Sequence, residues 1–494
     1  MQTSSGSSGG PVVRVFDAVK ALAFIGDLSM GQPTDHSIRT AWLAMRLAQA
    51  ADLGEAAVVA VREASLLRWS GCTANASGFA EALGDDVASR EAMLALKPDW
   101  ARPMALQGDV GAVMTPLARI HCEVSGEAAR MLGLGQDTQA TLRHVFESWD
   151  GTGTPDRLAG SAVPVTVFIV ALAGELEIFS RTYGIDRASA LIGQRADARY
   201  PDKLARLAVR LAPQWLDELA QADAASIDAA LMTQQMNDVT PVELVADIID
   251  LKLPWMTGYS RSVAATAASC AARFALDANA QNRLYCAGLV HGMGRAAVPN
   301  PVWDAPARLS PAAWEKARLV PYWTSRAGRQ TGSLAEAAEL GSYAYERLDG
   351  SGYFRGVSGA ALPVEARILA ASAAWVALRA TRPWRAALTQ DEAAKLLHEE
   401  AALGRFDADV VHALIDERVA PRRVVNPRAQ TARLSAREVD VLRGISRGAS
   451  NKEVARDLSL SPSTVRTHVE SVFRKLDCST RAAATLKALA LGVL

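Results

Sequence analysis

The chain has 494 residues, is 50% hydrophobic and carries a formal charge of +0, which fits more than one domain with sizeable buried cores. Its five cysteines form no CxxC pair and are odd in number, a usage suited to a reducing cytoplasm rather than to a disulfide framework. The longest apolar run, around Val163 to Ala173, is far short of a membrane span. A soluble, cytoplasmic protein without a membrane partner is expected. Charge is unevenly placed: residues 421–494 hold 14 Lys and Arg against 6 Asp and Glu, and residues 1–420 hold 39 against 47. A basic end on a mildly acidic body points to nucleic-acid binding at the C-terminus.

In chain order, residues 1–10 are Ser/Gly-rich and read as a disordered lead-in. Over residues 11–225, Ala, Leu, Arg and Glu dominate, and apolar residues recur at helical spacing, as in Val58-x-x-Val61 and Leu204-x-x-Leu207-x-x-x-Leu211. A second helical block covers 240–420. A Pro/Arg-rich linker at 421–432 leads to a last compact helical block at 433–494. No sustained alternation suggests strands, so the predicted class is all-α.

The first two blocks are related to each other. A shift of 223 positions lays His36-Ser37-x-x-Thr40-Ala41 on Tyr259-Ser260-x-x-Val263-Ala264, and Leu66-Leu67-Arg68-Trp69-Ser70-Gly71 on Leu289-Val290-His291-Gly292-Met293-Gly294. A shift of 199 then matches Phe146-Glu147, Asp150-Gly151 and Gly153 with Tyr345-Glu346, Asp349-Gly350 and Gly352. Two constant offsets on either side of one length change indicate an internal duplication.

The stretch Cys286-Ala-Gly-Leu-Val-His-Gly-Met-Gly-Arg-Ala-Ala-Val-Pro299 resembles the core of HD-type metal phosphohydrolases. With Tyr345-Glu-Arg-Leu-Asp-Gly-Ser-Gly-Tyr353 and Ala366-Arg-Ile-Leu369, repeat two resembles the HD-GYP cyclic-dinucleotide phosphodiesterases in particular. That resemblance implies imidazoles and carboxylates converging on metal, which lowers the pKa of a bound water. At the ligand positions this chain instead has Tyr259, Gly292, Val320, Ala344-Tyr345 and Ala373-Ala374, and keeps only His291. The expectation is a chain with no catalytic residues, no cofactor and no enzymatic activity.

Repeat one is eroded differently. His36, His121, His144 and Asp150 are the candidates there for a residual metal site, with Arg68 placing positive charge beside the ion. Asp150 and Asp349 read as turn caps preceding glycines that supply positive φ. In repeat two, Tyr259, Trp323, Tyr343, Tyr345 and Trp375 around His291 give two readings: the walls of a small-molecule site, or ordinary aromatic core. The GYP loop of the resemblance becomes Gly352-Tyr353-Phe354, and Arg347 and Arg355 stand near it as phosphate partners for a cyclic dinucleotide.

At the end of the chain, Ser435 with Glu438 and Ser450 with Glu453 form two capping boxes, and Pro462 suits the first turn of a third helix. Val465, Val469, Val472, Phe473 and Leu476 give that helix its inner face. A packing helix follows from about Thr480. Leu434 to Leu476 resembles the LuxR-type DNA-binding domain almost throughout, giving a fold of two tandem HD-like helical domains and a four-helix helix-turn-helix domain. The resemblance implies that Arg466, Thr467 and Glu470 read base edges and that Lys452, Thr464, His468 and Lys475 meet phosphates. Paired half-sites imply a homodimer on double-stranded promoter DNA. The leading expectation is a transcription regulator whose HD-like body senses a small-molecule effector or holds the dimer. The alternatives are a metal-dependent phosphodiesterase working from repeat one, and a ligand-free scaffold answering to a protein partner.

Overall fold

The structure, a computed structural model, describes residues 10–106, 108–415 and 434–494. Of the segment 1–10 expected to be disordered, residues 1–9 lie outside the described residues, as does the linker at 421–432. The architecture is all-α apart from one small sheet. Strand β1 (Val12–Arg14) pairs antiparallel with β2 (Val239–Pro241), with Val13 opposite Thr240. Strands of three residues are too short to display a period of two in sequence, yet they stitch the start of one block to the start of the other.

Helix α1 (Val15–Ser29) is buried along its whole length. Most of its residues are apolar, its few polar ones are buried with it, and α1 is shared between the blocks. Its Asp17 accepts from the Ser333 amide at 3.2 Å and from the Ser333 hydroxyl at 2.6 Å. One apolar core accordingly runs from Val13 through Leu66 and Phe168 to Leu289 and Met293, and a second, built on Leu369 and Val411, fills the far side of block two. Buried polar ties cross the same boundary. Asp86 of block one accepts from Lys252 Nζ at 2.9 Å and from the Asn300 amide at 2.6 Å.

Block one carries α2 (His36–Ala50), α3 (Glu55–Leu67), α4 (Val110–Met131) and α5 (Val165–Tyr183). Block two carries α6 (Glu243–Asp250), α7 (Tyr259–Arg273), α8 (Ala278–Val290), α9 (Val320–Gly328) and α10 (Val364–Arg379). The same local bonds recur in both blocks. Asp27 accepts from the amide and hydroxyl of Ser37, as Asp250 does from Ser260. Glu147 and Glu346 each accept a loop amide nine residues ahead, from Asp156 and Arg355, at 2.8 Å. Gly71 and Gly294 are glycines for a steric reason, since a Cβ would lie 2.3 Å from the His121 carbonyl oxygen and 2.0 Å from that of Val320.

The last domain holds α11 (Ala436–Ser446), α12 (Asn451–Asp457), α13 (Pro462–Leu476) and α14 (Arg481–Ala490). Both capping boxes form in full. Val441, Leu442, Val454, Val465 and Val472 make the domain's own core. Helix α14 has a second duty: Ala483 and Leu486 belong to the core of the body rather than to that of their own domain. Around this contact Glu123 of α4 accepts from the Ser479 amide at 2.5 Å and its hydroxyl at 3.1 Å, and Glu127 lies 3.4 Å from Lys487. Thr257 of block two donates to the Ser446 carbonyl at 2.8 Å. The domain is thus seated on both blocks.

Candidate functional site

In block two, α8 ends at Val290 and delivers His291 into a fully buried position. Its Nδ1 lies 2.6 Å from the Gly288 carbonyl oxygen and its Nε2 2.6 Å from Nη2 of Arg295. A guanidinium only donates and a carbonyl only accepts, so the ring carries its proton on Nδ1 and accepts at Nε2. Burial, then the charge of Arg295, pushes the imidazole down to about 3. Arg295 is itself buried, lies 3.4 Å from Asp250 and 5.0 Å from the Tyr259 ring centroid. Burial raises Asp250 to about 6, against the pull of Arg295. The glycine after His291 makes room for this arrangement, since a Cβ on Gly292 would meet Arg295 Nη1 at 2.4 Å.

The six ligand-site residues expected in block two are divided. Tyr259 stands 5.7 Å from His291 and donates to the Ala373 carbonyl, and Tyr345 stacks on Tyr353 at 5.3 Å. Trp323 packs edge-on to Tyr322, Tyr343 lies under Arg355, and Trp375 lies under Arg379. Arg355 is further held by Ser342 and Glu339, and Arg347 lies over Phe406.

Block one presents a cavity of about 420 Å³. Its walls include Arg68 and Trp69 after α3, His121 of α4, Phe146, and Glu175 and Phe179 of α5. Sequence reasoning placed a pocket in block two; Arg68-Trp69 was the available signal for this one, as two large side chains opposite His291-Gly292 in the duplication. The residual metal set does not converge. His36 Nδ1 is 2.6 Å from Glu177, which also receives Arg39 and Arg181. Burial raises Glu177, but the bonds from His36 and Arg181 outweigh it and hold the carboxyl at about 2. His121 donates from Nε2 to the Arg68 carbonyl at 2.7 Å, and burial lowers it to about 3. His144 bonds the Ala140 carbonyl. Asp150 caps its own turn through the amide and hydroxyl of Thr152, and Asp349 does the same through Ser351. Among the described residues no three His, Cys, Asp or Glu side chains are placed to hold a metal ion. The residues present therefore do not fit the metal centre that an HD-type site implies.

On the C-terminal domain, α13 turns Val465, Val469, Val472 and Leu476 inward and leaves Arg466, Thr467 and Glu470 exposed. Arg466 Nε donates to Glu470 at 2.9 Å, and the Thr467 hydroxyl to the Ser463 carbonyl at 3.2 Å. Lys452 and Thr464 are exposed and His468 is half-buried. Lys475 is engaged inside the domain, its Nζ 2.8 and 2.7 Å from the two oxygens of Glu438. Burial raises Glu438, but Lys475 and the capping-box bonds hold it at about 2.

Among the described residues no helix is long and apolar enough to cross a membrane. Residues 243–410 match the HD domain family and residues 432–488 match the family of bacterial regulatory proteins, luxR family. The chain is 25% identical over 404 residues to 3'3'-cGAMP-specific phosphodiesterase 3 of Vibrio cholerae serotype O1, covering 76% of this chain and 88% of that protein. It is 43% identical over 53 residues to the nitrate/nitrite response regulator protein NarP of Escherichia coli, covering 11% of this chain and 25% of that protein. The crystal structure of a cyclic GMP-AMP-specific phosphodiesterase of V. cholerae shares the fold, with a TM-score of 0.59 at 22% identity over 82% of this chain and 97% of that one. These relatives overturn the expectation that the chain is not an enzyme: similarity to a phosphodiesterase over three quarters of its length sets it among phosphodiesterase-like proteins. The chain is an HD phosphodiesterase-like domain fused to a C-terminal LuxR-type DNA-binding domain, homologous to the HD-GYP phosphodiesterases on one side and to the NarL/NarP regulators on the other.

Proposed function

We propose that this protein is a transcription regulator in which the HD body senses a small effector and sets the DNA affinity of the LuxR-type domain, which acts as a homodimer on paired half-sites. One observation carries the coupling: α4 is shared. Its Met114, Ala118 and His121 line the block-one cavity, and its Glu123 and Glu127 hold Ser479 and Lys487 of the DNA-binding domain. A ligand that shifts α4 shifts the seat of the domain, which is the differential contact that any effector needs. On the DNA side, Arg466, Thr467 and Glu470 read base edges, and Lys452, Thr464 and His468 meet phosphates. Lys475 serves mainly to neutralise Glu438 in this reading.

The experiment is a titration of a duplex, enriched by this chain from a random pool, with the purified protein at several salt concentrations. Sequence-preferring binding with a steep salt slope supports the reading. Equal affinity for enriched and scrambled duplexes would sink it. A second reading, turnover of a cyclic dinucleotide by the body, is favoured by the phosphodiesterase relatives. Incubation with 3'3'-cGAMP followed by chromatography tests it: linear product supports turnover, and intact dinucleotide after prolonged incubation opposes it.

A further inference from the structure

Arg68 occupies, in block one, the place that His291 holds in block two. It is 5% exposed. Among the described residues its guanidinium makes one hydrogen bond, from Nη1 to the Val170 carbonyl at a long 3.4 Å, and its Nε has no partner. Among the described residues no carboxylate forms a salt bridge with it. Burial lowers the guanidinium to about 10, which leaves it protonated at neutral pH. The guanidinium stacks on the Trp69 ring at 4.0 Å and feels Glu175 and Asp27 only at a distance, so its buried charge lacks a bonded counter-ion, an arrangement that is costly. The fold nevertheless makes room for it: a Cβ on Gly174 would lie 1.6 Å from Nη1.

The other cations on the cavity wall are already engaged. Arg195 forms a two-pronged pair with Glu175 at 2.8 and 3.0 Å. Arg90 donates to Asn75 at 2.6 Å and to the Cys72 carbonyl at 2.9 Å. Arg199 is used on the carbonyls of Phe146 and Glu147. Beside Arg68, the indole Nε1 of the buried Trp69 is also without a partner, although an indole N–H normally finds an acceptor when buried. The broad surfaces of the remaining wall are Phe79, Trp100 and Phe146, with Ser148, Thr152 and Thr154 as polar members.

We propose that this cavity binds a small organic anion built on one planar ring system, its acidic group paired with Arg68 and accepting from Trp69 Nε1, and its ring against the aromatic wall. The volume of about 420 Å³ suits such a ligand, and one free guanidinium matches one acidic group. A cyclic dinucleotide, with two phosphates and two bases, is not the ligand of this site. The assignment deepens the effector reading above and rests on it for its regulatory meaning.

Isothermal titration of the full chain tests the site with four probes: AMP and GMP as phosphomonoesters, indole-3-acetate and 4-hydroxybenzoate as carboxylates. At least one binds stoichiometrically, and the preferred pair tells phosphate from carboxylate. Arg68→Met weakens that binding at least tenfold, Trp100→Ala weakens it as well, and Leu403→Ala, at an exposed position of block two, leaves it unchanged. Trp100 is only half-buried, so its variant reads the site even where Arg68→Met fails to fold. Absence of binding by all four probes overturns the proposal, as does undiminished binding to both block-one variants. A probe that binds through Arg68 and leaves DNA affinity unchanged upholds the site and removes the effector reading.

Discussion

Arg68, at the place of His291 in the duplication, and Arg295, four residues after His291, are both buried arginines packed against a glycine. Gly174→Ala places a methyl group inside the Arg68 guanidinium, an overpacking that costs about 1–3 kcal/mol. Urea unfolding should show that loss together with weakened probe binding. His121 gives a pH signature. Its folded pKa of about 3 lies below the ordinary 6.5, so between those values the unfolded chain binds a proton that the folded chain refuses. Stability from this group is present above pH 6.5 and is lost as pH falls toward 3. Asp250, raised to about 6, has the opposite sign, since its contribution is lost as pH rises through that value. His121→Gln isolates the histidine: between pH 7.5 and 5 the variant should lose about 2 kcal/mol less than the parent. An identical loss in both proteins would contradict a buried neutral imidazole at 121.

Among the elements, α13 and α4 have distinct duties that mutation can separate. Arg466 is exposed and pairs with Glu470. Arg466→Ala should weaken binding to the preferred duplex by about 1–3 kcal/mol while the melting temperature stays within a degree or two. Lys475→Ala should act through stability instead, because Glu438 is left buried without its cation, a loss of about 1–3 kcal/mol. Measuring melting and anisotropy on both variants distinguishes a reading residue from a structural one. The helices of this last domain were the most legible part of the sequence. Their signals are local, and both capping boxes, Pro462 and the apolar stripe of α13 appear as the spacing requires. In the body, residues paired by the repeat spacing make matching bonds, as Ser37 and Ser260 do, and Asp150 and Asp349 cap their turns as their spacing to glycine suggested. Other contacts of the body were not legible. The pairing of Arg295 with His291 spans four residues yet depends on Gly292, and β1 with β2 spans more than two hundred. The counter-charge of Glu438 comes from α13, so Lys475 read as a phosphate contact in sequence and is an internal ion pair in space.

At the scale of the whole molecule, the two blocks and the DNA-binding domain share surfaces instead of hanging on linkers. Asp86, fully buried, is paired at 2.9 Å with Lys252 from the other block and has Arg90 of its own block at 3.7 Å. Lys252→Met should cost about 1–3 kcal/mol, the loss of a buried charge-assisted hydrogen bond at a carboxylate that keeps Arg90 and the Asn300 amide, and calorimetry should show both blocks losing stability together. Two separate transitions would mean that the blocks unfold independently. The central claim is that the body controls DNA binding through its contact with α14. Its most direct test is fluorescence anisotropy of the full chain on its enriched duplex, comparing the parent with Glu123→Ala and with Ala483→Glu. Glu123→Ala removes both bonds to Ser479, and Ala483→Glu drives a charge into the body side of α14 without entering the domain's own core. Released from its seat, the domain should change its affinity at least fivefold, the lower range of allosteric coupling. Affinity and salt slope equal to the parent in both variants would contradict the account.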